Sequence, residues 1–204
     1  MNKTLKKSIL VCTAVFFMGF FLSFLIDVNL GTDPCTFMNL SLANRLGLSF
    51  GNWQLTCNLI LLILVIIKGR DMIGLGTVAN MVFIGYIADF FDYVWAKIIP
   101  DYVFTQWPYR AFVFVFGLVF FVIAAAVYMN SEMGLSPYDA TSQIIARALP
   151  KVPFFIVRIC YDFLAIIIGI LVGGLPNIGT ICLAVMIGPA VSFVGKRLKL
   201  ILKD

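Results

Sequence analysis

The sequence has no histidine among its 204 residues, and only 12% of them are charged. Histidine is the commonest metal ligand and the commonest general base at neutral pH, so neither a metalloenzyme nor a Ser–His or Cys–His hydrolase is expected. The five cysteines (Cys12, Cys35, Cys57, Cys160, Cys182) lie in or beside apolar segments, and none has the paired spacing of a zinc or redox motif. They are read as small apolar packing residues, and no metal, cofactor or catalytic residue is expected. What the chain has in excess is apolar sequence, with 62% hydrophobic residues, 20 phenylalanines and a mean hydropathy of +1.03. That composition defines an integral membrane protein, with residues 1–204 forming one membrane domain. The net charge of +5 does not signal nucleic acid, because the cations sit at the ends of apolar runs instead of forming a patch interleaved with aromatics.

Six apolar runs are long enough to span a bilayer: about Ser8–Leu30, Gly51–Ile67, Met72–Tyr93, Ala111–Tyr128, Phe154–Val172 and Ile178–Val194. The first is read as a retained span, too long for the core of a signal peptide. With six spans, eleven cations fall on the side of the N-terminus against three (Arg45, Lys97, Arg110) on the other, with Arg158 inside the fifth span. The bias places both termini in the cytoplasm of a cell with a multi-pass inner-membrane protein. Two segments, Pro34–Leu46 and Pro137–Leu149, are helical in pattern but too short to cross. Each opens with a helix-capping residue followed by proline, Asp33-Pro34 and Ser136-Pro137. They are either re-entrant or interfacial.

These two segments belong to an internal repeat. At an offset of 103 residues, Gly31 matches Gly134, Pro34 matches Pro137, Gly76-Thr77 matches Gly179-Thr180 and Ile84-Gly85 matches Ile187-Gly188. Asp27 and Asn29 correspond to Asn130 and Glu132, and one inserted residue aligns Asn58 with Asp162. Repeat 1 covers about 8–95 and repeat 2 about 110–197. Each holds three spans, so the second must run through the membrane with opposite polarity. The expected architecture is all-α, six transmembrane helices in two inverted three-helix repeats, each with a short capped helix after its first span.

The glycine and proline pattern resembles that of the YczE/YyaS/YitT grouping of small bacterial membrane proteins. It is carried by Gly134-Leu-Ser-Pro137-Tyr-Asp139, Leu48-Ser49-Phe50-Gly51, Ile178-Gly179-Thr180 and Ile187-Gly188-Pro189. The resemblance covers most of the chain and implies a bacterial polytopic membrane protein, with no substrate attached. Asp33 and Cys35 depart from the pattern in the first copy, and since the resemblance attaches no substrate these departures are not read as the loss of a known activity.

A helix that begins inside a membrane has unpaired N–H groups and partial positive charge at its start, so two such starts facing one cavity make a site. The candidate substrate-binding side chains are Asp33, Thr36 and Asn39 with Asn58 in the first copy, and Ser136, Asp139, Thr141, Ser142 and Gln143 in the second. Arg158 and Asp162 join them, four residues apart on one face of the fifth span, where an unpaired charge costs about 2.5–3.5 kcal/mol. Asp139 also suits the helix dipole, and Asp89 is a further carboxylate within a span. The expected function is a secondary transporter or facilitator of a small polar solute, anions included, bound near the bilayer midplane. The alternatives are the substrate-binding subunit of an energy-coupling vitamin transporter and a regulatory or assembly partner of another membrane protein. The expected partners are the lipid bilayer and a small-molecule solute, with a homodimer compatible and nucleic acid not.

Overall fold

A computed structural model describes residues 3–185, 188–189 and 193. Among the described residues the regular structure is entirely helical. It comprises α1 (Lys3–Val28), α2 (Pro34–Leu46), α3 (Phe50–Lys68), α4 (Leu75–Ile98), α5 (Tyr102–Thr105), α6 (Tyr109–Asn130), α7 (Pro137–Ala148) and α8 (Phe154–Leu171). A 3₁₀ turn at Arg70–Met72 joins α3 to α4, and 178–185 is also helical. Five of these helices, α1, α3, α4, α6 and α8, are long and apolar enough to cross a membrane. Residues 186–187, 190–192 and 194 of the sixth expected span lie outside the described residues, as do the cations Lys196, Arg197, Lys199 and Lys203.

Helix α1 is the axis of the bundle, packed between α4 and α6. Val11, Val15, Leu22 and Leu25 are fully buried, facing Ala79, Ile84 and Ala88 on one side and Ala124, Ala125 and Ala126 on the other. Alanines let these helices approach closely, which matters where lipid, as apolar as leucine, gives side chains no reason to leave the surface. The phenylalanines of α1 form an aromatic seam: Phe20 meets Phe91 edge to face at 4.7 Å and Phe24 stacks on Trp95 at 4.9 Å. The Trp95 indole N–H donates to Ser23 Oγ at 2.8 Å, so this buried polar handle is satisfied.

Contacts along the helices give their directions. Val11 lies beside Gly76 and Gly19 beside Ile87, so α1 and α4 run parallel. Lys7 pairs with Glu132 while Arg110 donates to the carbonyls of Val28 and Asn29, so α1 and α6 run antiparallel. The end of the bundle where α1 begins is called the near end below, and the opposite end the far end.

Helices α2 and α7 are about 20 Å long, short of a ~30 Å hydrocarbon core. Each lies along a long helix of the other half of the chain. Phe37 of α2 sits on Gly169 of α8, and Ser41 on Gly174 just beyond α8, so α2 starts partway along α8 and runs with it to the far end. Ala140 of α7 packs with Val65 of α3 and Met72, and Ile144 lies against Gly69, so α7 starts partway along α3 and runs to the near end. The two short helices therefore begin in the interior of the bundle and leave by opposite ends.

The turns that lead into them are clasped by backbone. Gly31, at φ +131°, lies against Gly179 and Thr180, and Thr32 N–H donates to Thr180 Oγ1 at 3.3 Å. Gly134, at φ +104°, lies against Gly74 and Thr77, while Gly76 N–H donates to Met133 O at 2.7 Å and Leu135 N–H to Met72 O at 3.0 Å. Two residues before each glycine, Asn29 (φ 49°) and Glu132 (φ 57°) take the left-handed conformation that non-glycine residues rarely adopt.

A buried charge cluster where two short helices begin

The starts of α2 and α7 are fixed by side-chain caps. Asp33 Oδ1 accepts from Thr36 N–H at 3.1 Å, with Pro34 in the first turn. Ser136 Oγ accepts from Asp139 N–H at 3.1 Å, and its hydroxyl donates to Asp139 Oδ2 at 2.7 Å, with Pro137 at the first helical position. The cap thus does two things: it satisfies an orphan amide and it holds the Asp139 carboxylate in one orientation.

That orientation presents Asp139 Oδ1 to Arg158 of α8, whose Nη1 donates to it at 2.5 Å. Arg158 Nε donates to Asp162 Oδ2 at 3.1 Å, one turn further along α8. Asp162 is fully buried, and its other oxygen accepts from the Tyr138 hydroxyl at 2.8 Å. The Tyr138 ring lies beneath the guanidinium, 5.3 Å from its carbon, and stands 4.6 Å from the Tyr161 ring. One guanidinium is thus shared by two carboxylates and stacked over an aromatic ring, so none of these three charges is isolated. Asp33 lies within Coulombic range of both Arg158 and Asp139, which places the start of α2 beside the cluster.

The first half of the chain contributes neutral side chains to the same region. Cys35 and Cys57 pack around Met38, Tyr138 and Ala165 together with Tyr161. By the repeat offset, Cys35 stands where the second half has Tyr138, Thr36 where it has Asp139, and Asn58 where it has Asp162. Asn58 is 4% exposed and Asn39 1%, both interior. Thr141 and Ser142 are buried, but their hydroxyls donate to the carbonyls of Pro137 and Asp139 within α7. Gln143 stands apart, in a shallow depression at the near end with Arg147 and Phe154. Among the expected site residues, Asp33, Ser136, Asp139, Arg158 and Asp162 are thus brought together and Gln143 is not. Tyr138 and Tyr161, which complete the cluster, gave no sequence signal beyond being aromatic beside a polar stretch.

The two ends of the bundle differ. At the near end, ion pairs join the two halves: Lys7 Nζ to Glu132 at 2.8 Å, and Arg147 to both oxygens of Asp71 at 3.0 and 2.7 Å. The hydrogen bonds from Arg147 hold the Asp71 carboxyl below its usual value of 3.8. Its contribution is therefore present above the ordinary carboxylate range and lost only as pH falls through the lowered value. At the far end a cavity of about 1170 Å³ opens between the halves. Its charged lining is Asp27, Asp89, Asp92 and Arg45, and Phe37, Ser41 and Thr180 reach it from deeper in the bundle. Asp89 is tied to the start of α3, accepting from Gly51 N–H at 2.8 Å. Arg158, Asp139 and Asp162 do not line this cavity. Helix α2 separates them from it, with Asp33 on the cluster side and Phe37 on the cavity side.

The near-end closure can be probed directly. In a background free of native cysteines, Asp71→Arg is expected to speed thiol labelling of Met72→Cys, which is buried in the wild type, by no more than about fivefold, since exposed pairs are weak. Adding Arg147→Asp should restore the slow rate measured at the same pH. Unchanged labelling in Asp71→Arg would show that the pair does not hold this end.

The long apolar helices around a buried charge cluster define a multi-pass membrane protein of wholly helical fold. The chain belongs to a family of unknown function, DUF6198, whose model matches residues 5–196. It is similar to the uncharacterized membrane protein YczE of Bacillus subtilis, at 25% identity over 118 residues, 58% of this chain and 52% of YczE. It thus spans about half the length of that relative. It is also similar to the uncharacterized protein YyaS of the same organism, at 26% identity over 171 residues, 81% of this chain and 82% of YyaS. No solved structure matches.

Proposed function

We propose that the chain is a secondary transporter or facilitator for a small polar solute, built as two inverted three-span repeats in the inner membrane. Helices α2 and α7 are re-entrant in this reading: each leaves the end of a span, turns inward at its glycine, and returns to the surface it came from. Their starts, Asp33-Pro34 and Ser136-Pro137, then face one another near the bilayer midplane and frame the solute site. The N-terminus lies in the cytoplasm, so the near end is cytoplasmic and the far end external. The chain moves its solute without chemical change, and its other partner is the lipid around it.

One observation carries the reading: the far end is open in a cavity of about 1170 Å³ while the near end is joined across the two halves by Lys7–Glu132 and Asp71–Arg147. That asymmetry is what alternating access requires of one of its two states. Lys7 corresponds to Arg110 and Glu132 to Asn29, and Arg110 Nη2 donates to the Asn29 carbonyl at 3.0 Å, so α1 and α6 are joined at both ends and the closure specific to the near end is Asp71–Arg147.

Two measurements on purified protein test this. Reconstituted in liposomes, it should move at least one member of a broad solute panel; if nothing moves, the regulatory or assembly reading replaces this one. Single cysteines at Asp101 and Ala148, both exposed, should label from opposite faces of the membrane. Labelling from one face would refute the inverted arrangement. Phe104 is unsuited to the same purpose because it is buried.

A further inference from the structure

The cap of α2 is a carboxylate where capping alone does not call for one. At the repeat offset Asp33 corresponds to Ser136, whose hydroxyl satisfies the matching amide of α7 without bringing a charge. What aspartate adds is a second oxygen, and Asp33 Oδ2 is enclosed with no hydrogen-bond partner. The other two carboxylates of the cluster differ in this respect. Asp139 accepts on both oxygens, from Arg158 and Ser136, and so does Asp162, from Arg158 and Tyr138. Arg158 and Asp139 also keep 20% and 18% of their side-chain surface accessible.

The charges around Asp33 do not balance. The charged and titratable groups of this region are Arg158, Asp162 and Tyr161 on α8, Asp139 and Tyr138 on α7, Cys57 on α3, and Cys35 on α2 itself. Arg158 is the one cation among them, and Asp139 and Asp162 already share it. With all three carboxylates ionised, the cluster would hold three negative charges against one positive. The start of α2 favours an ionised Asp33 by about 0.3–2 kcal/mol. Enclosing a charge that has no partner costs several kcal/mol, so a neutral Asp33 is the state that fits. A second group is left unfilled on the other side of the cluster: the Tyr128 hydroxyl of α6, 1% exposed and within Coulombic range of Asp139, has no hydrogen-bond partner. A hydroxyl can both give and take a hydrogen bond, which suits it to pass a proton on.

Resting on the transporter reading, we propose that the solute moves together with a proton and that Asp33 is the residue that carries it. Gly31 and Thr32, just before Asp33, line the far-end cavity, so with that end open the proton is loaded from the same external side as the solute. Asp33 gives it up when the near end opens.

The test uses purified full-length protein with Asp33→Asn and Asp33→Ser, both of which keep a cap on α2, and either suffices if the other fails to fold. Infrared spectra at neutral pH read the C=O stretch of a protonated carboxyl, which an ionised one lacks; part of that band should be present in the wild type and missing from the variants. Liposomes with the membrane potential clamped read coupling, with glucose, glycine, choline and glutamate as probes. With the outside one pH unit more acidic, a probe carried with one proton should accumulate up to about tenfold in the wild type, since one tenfold ratio balances the other. The variants should exchange that probe without accumulating it. A wild-type spectrum without the band, or a band unchanged in the variants, would overturn the proton site whatever the liposomes show. With the band in place, exchange without accumulation in the wild type, or accumulation kept in the variants, would overturn coupling through Asp33 and leave the transporter reading standing. The band in place with no probe exchanged would overturn the transporter reading and keep the proton at Asp33.

Discussion

Replacing Arg158 with methionine is expected to lower the stability of the folded protein by about 3–5 kcal/mol, the cost of leaving buried charges without their partner. In a thermal unfolding assay that is a fall on the order of 10 °C. The reason is the geometry of the cluster: Asp162 is fully buried and Asp139 largely so, and both take a hydrogen bond from this one guanidinium. The informative comparison is the triple variant Arg158→Met, Asp139→Asn, Asp162→Asn. It removes the charges together and should recover most of the loss, because desolvation offsets most of what a buried pair gains. A triple variant as unstable as Arg158→Met would mean that packing of the guanidinium on the Tyr138 ring, and not charge balance, holds the site. Asp162→Asn alone should cost less than Arg158→Met, since Asp139 still holds Arg158.

Replacing Gly134 with valine is expected to abolish accumulation of folded protein. Its φ of +104° is a conformation that a β-branched residue avoids, and a Cβ there would lie 2.8 Å from Gly74 Cα. Backbone strain alone is worth about 1–3 kcal/mol, and the clash falls on backbone that cannot yield without parting the two halves. Gly47 is the control. It also has positive φ, +66°, where it ends α2, but a Cβ there meets nothing within 4 Å. Gly47→Asn should therefore be tolerated, with a loss near 1 kcal/mol or below. Size-exclusion chromatography of the two variants in detergent separates the cases, and equal yields would show that the clasp is not needed for folding.

The parts of the fold that depend on one stretch of chain at a time were legible in the sequence. The runs that became α1, α3, α4, α6 and α8 are apolar for the length a bilayer requires, whatever they pack against. The cap and proline pairs at Asp33-Pro34 and Ser136-Pro137 act within four residues, and so does the Arg158–Asp162 pair. What was not legible lies between segments. Arg158 meets Asp139 from another helix, Lys7 meets Glu132 across 125 positions, and Arg147 meets Asp71 across 76. Helical periodicity tells which residues share a face, not which face meets it. The acidic wall of the far-end cavity belongs to this second kind. Asp27 lies at the end of α1 and Asp92 two turns before the end of α4, and neither alone marks a wall.

On the inverted-repeat reading proposed above, the unequal pairs at corresponding positions say what a single chain gains over two half-length ones. Phe37 rests on Gly169, while at the matching place Ala140 packs with Val65, and every charge of the central cluster except Asp33 comes from the second half. Two identical half-length subunits inserted in opposite directions would have to set Phe against Val twice or Ala against Gly twice, overfilling both places or leaving both hollow. They would also bring either two guanidinium clusters to the centre or none. A single chain is free of that restriction: one half carries the charges, the other fills the space around them, and the two faces need not match themselves.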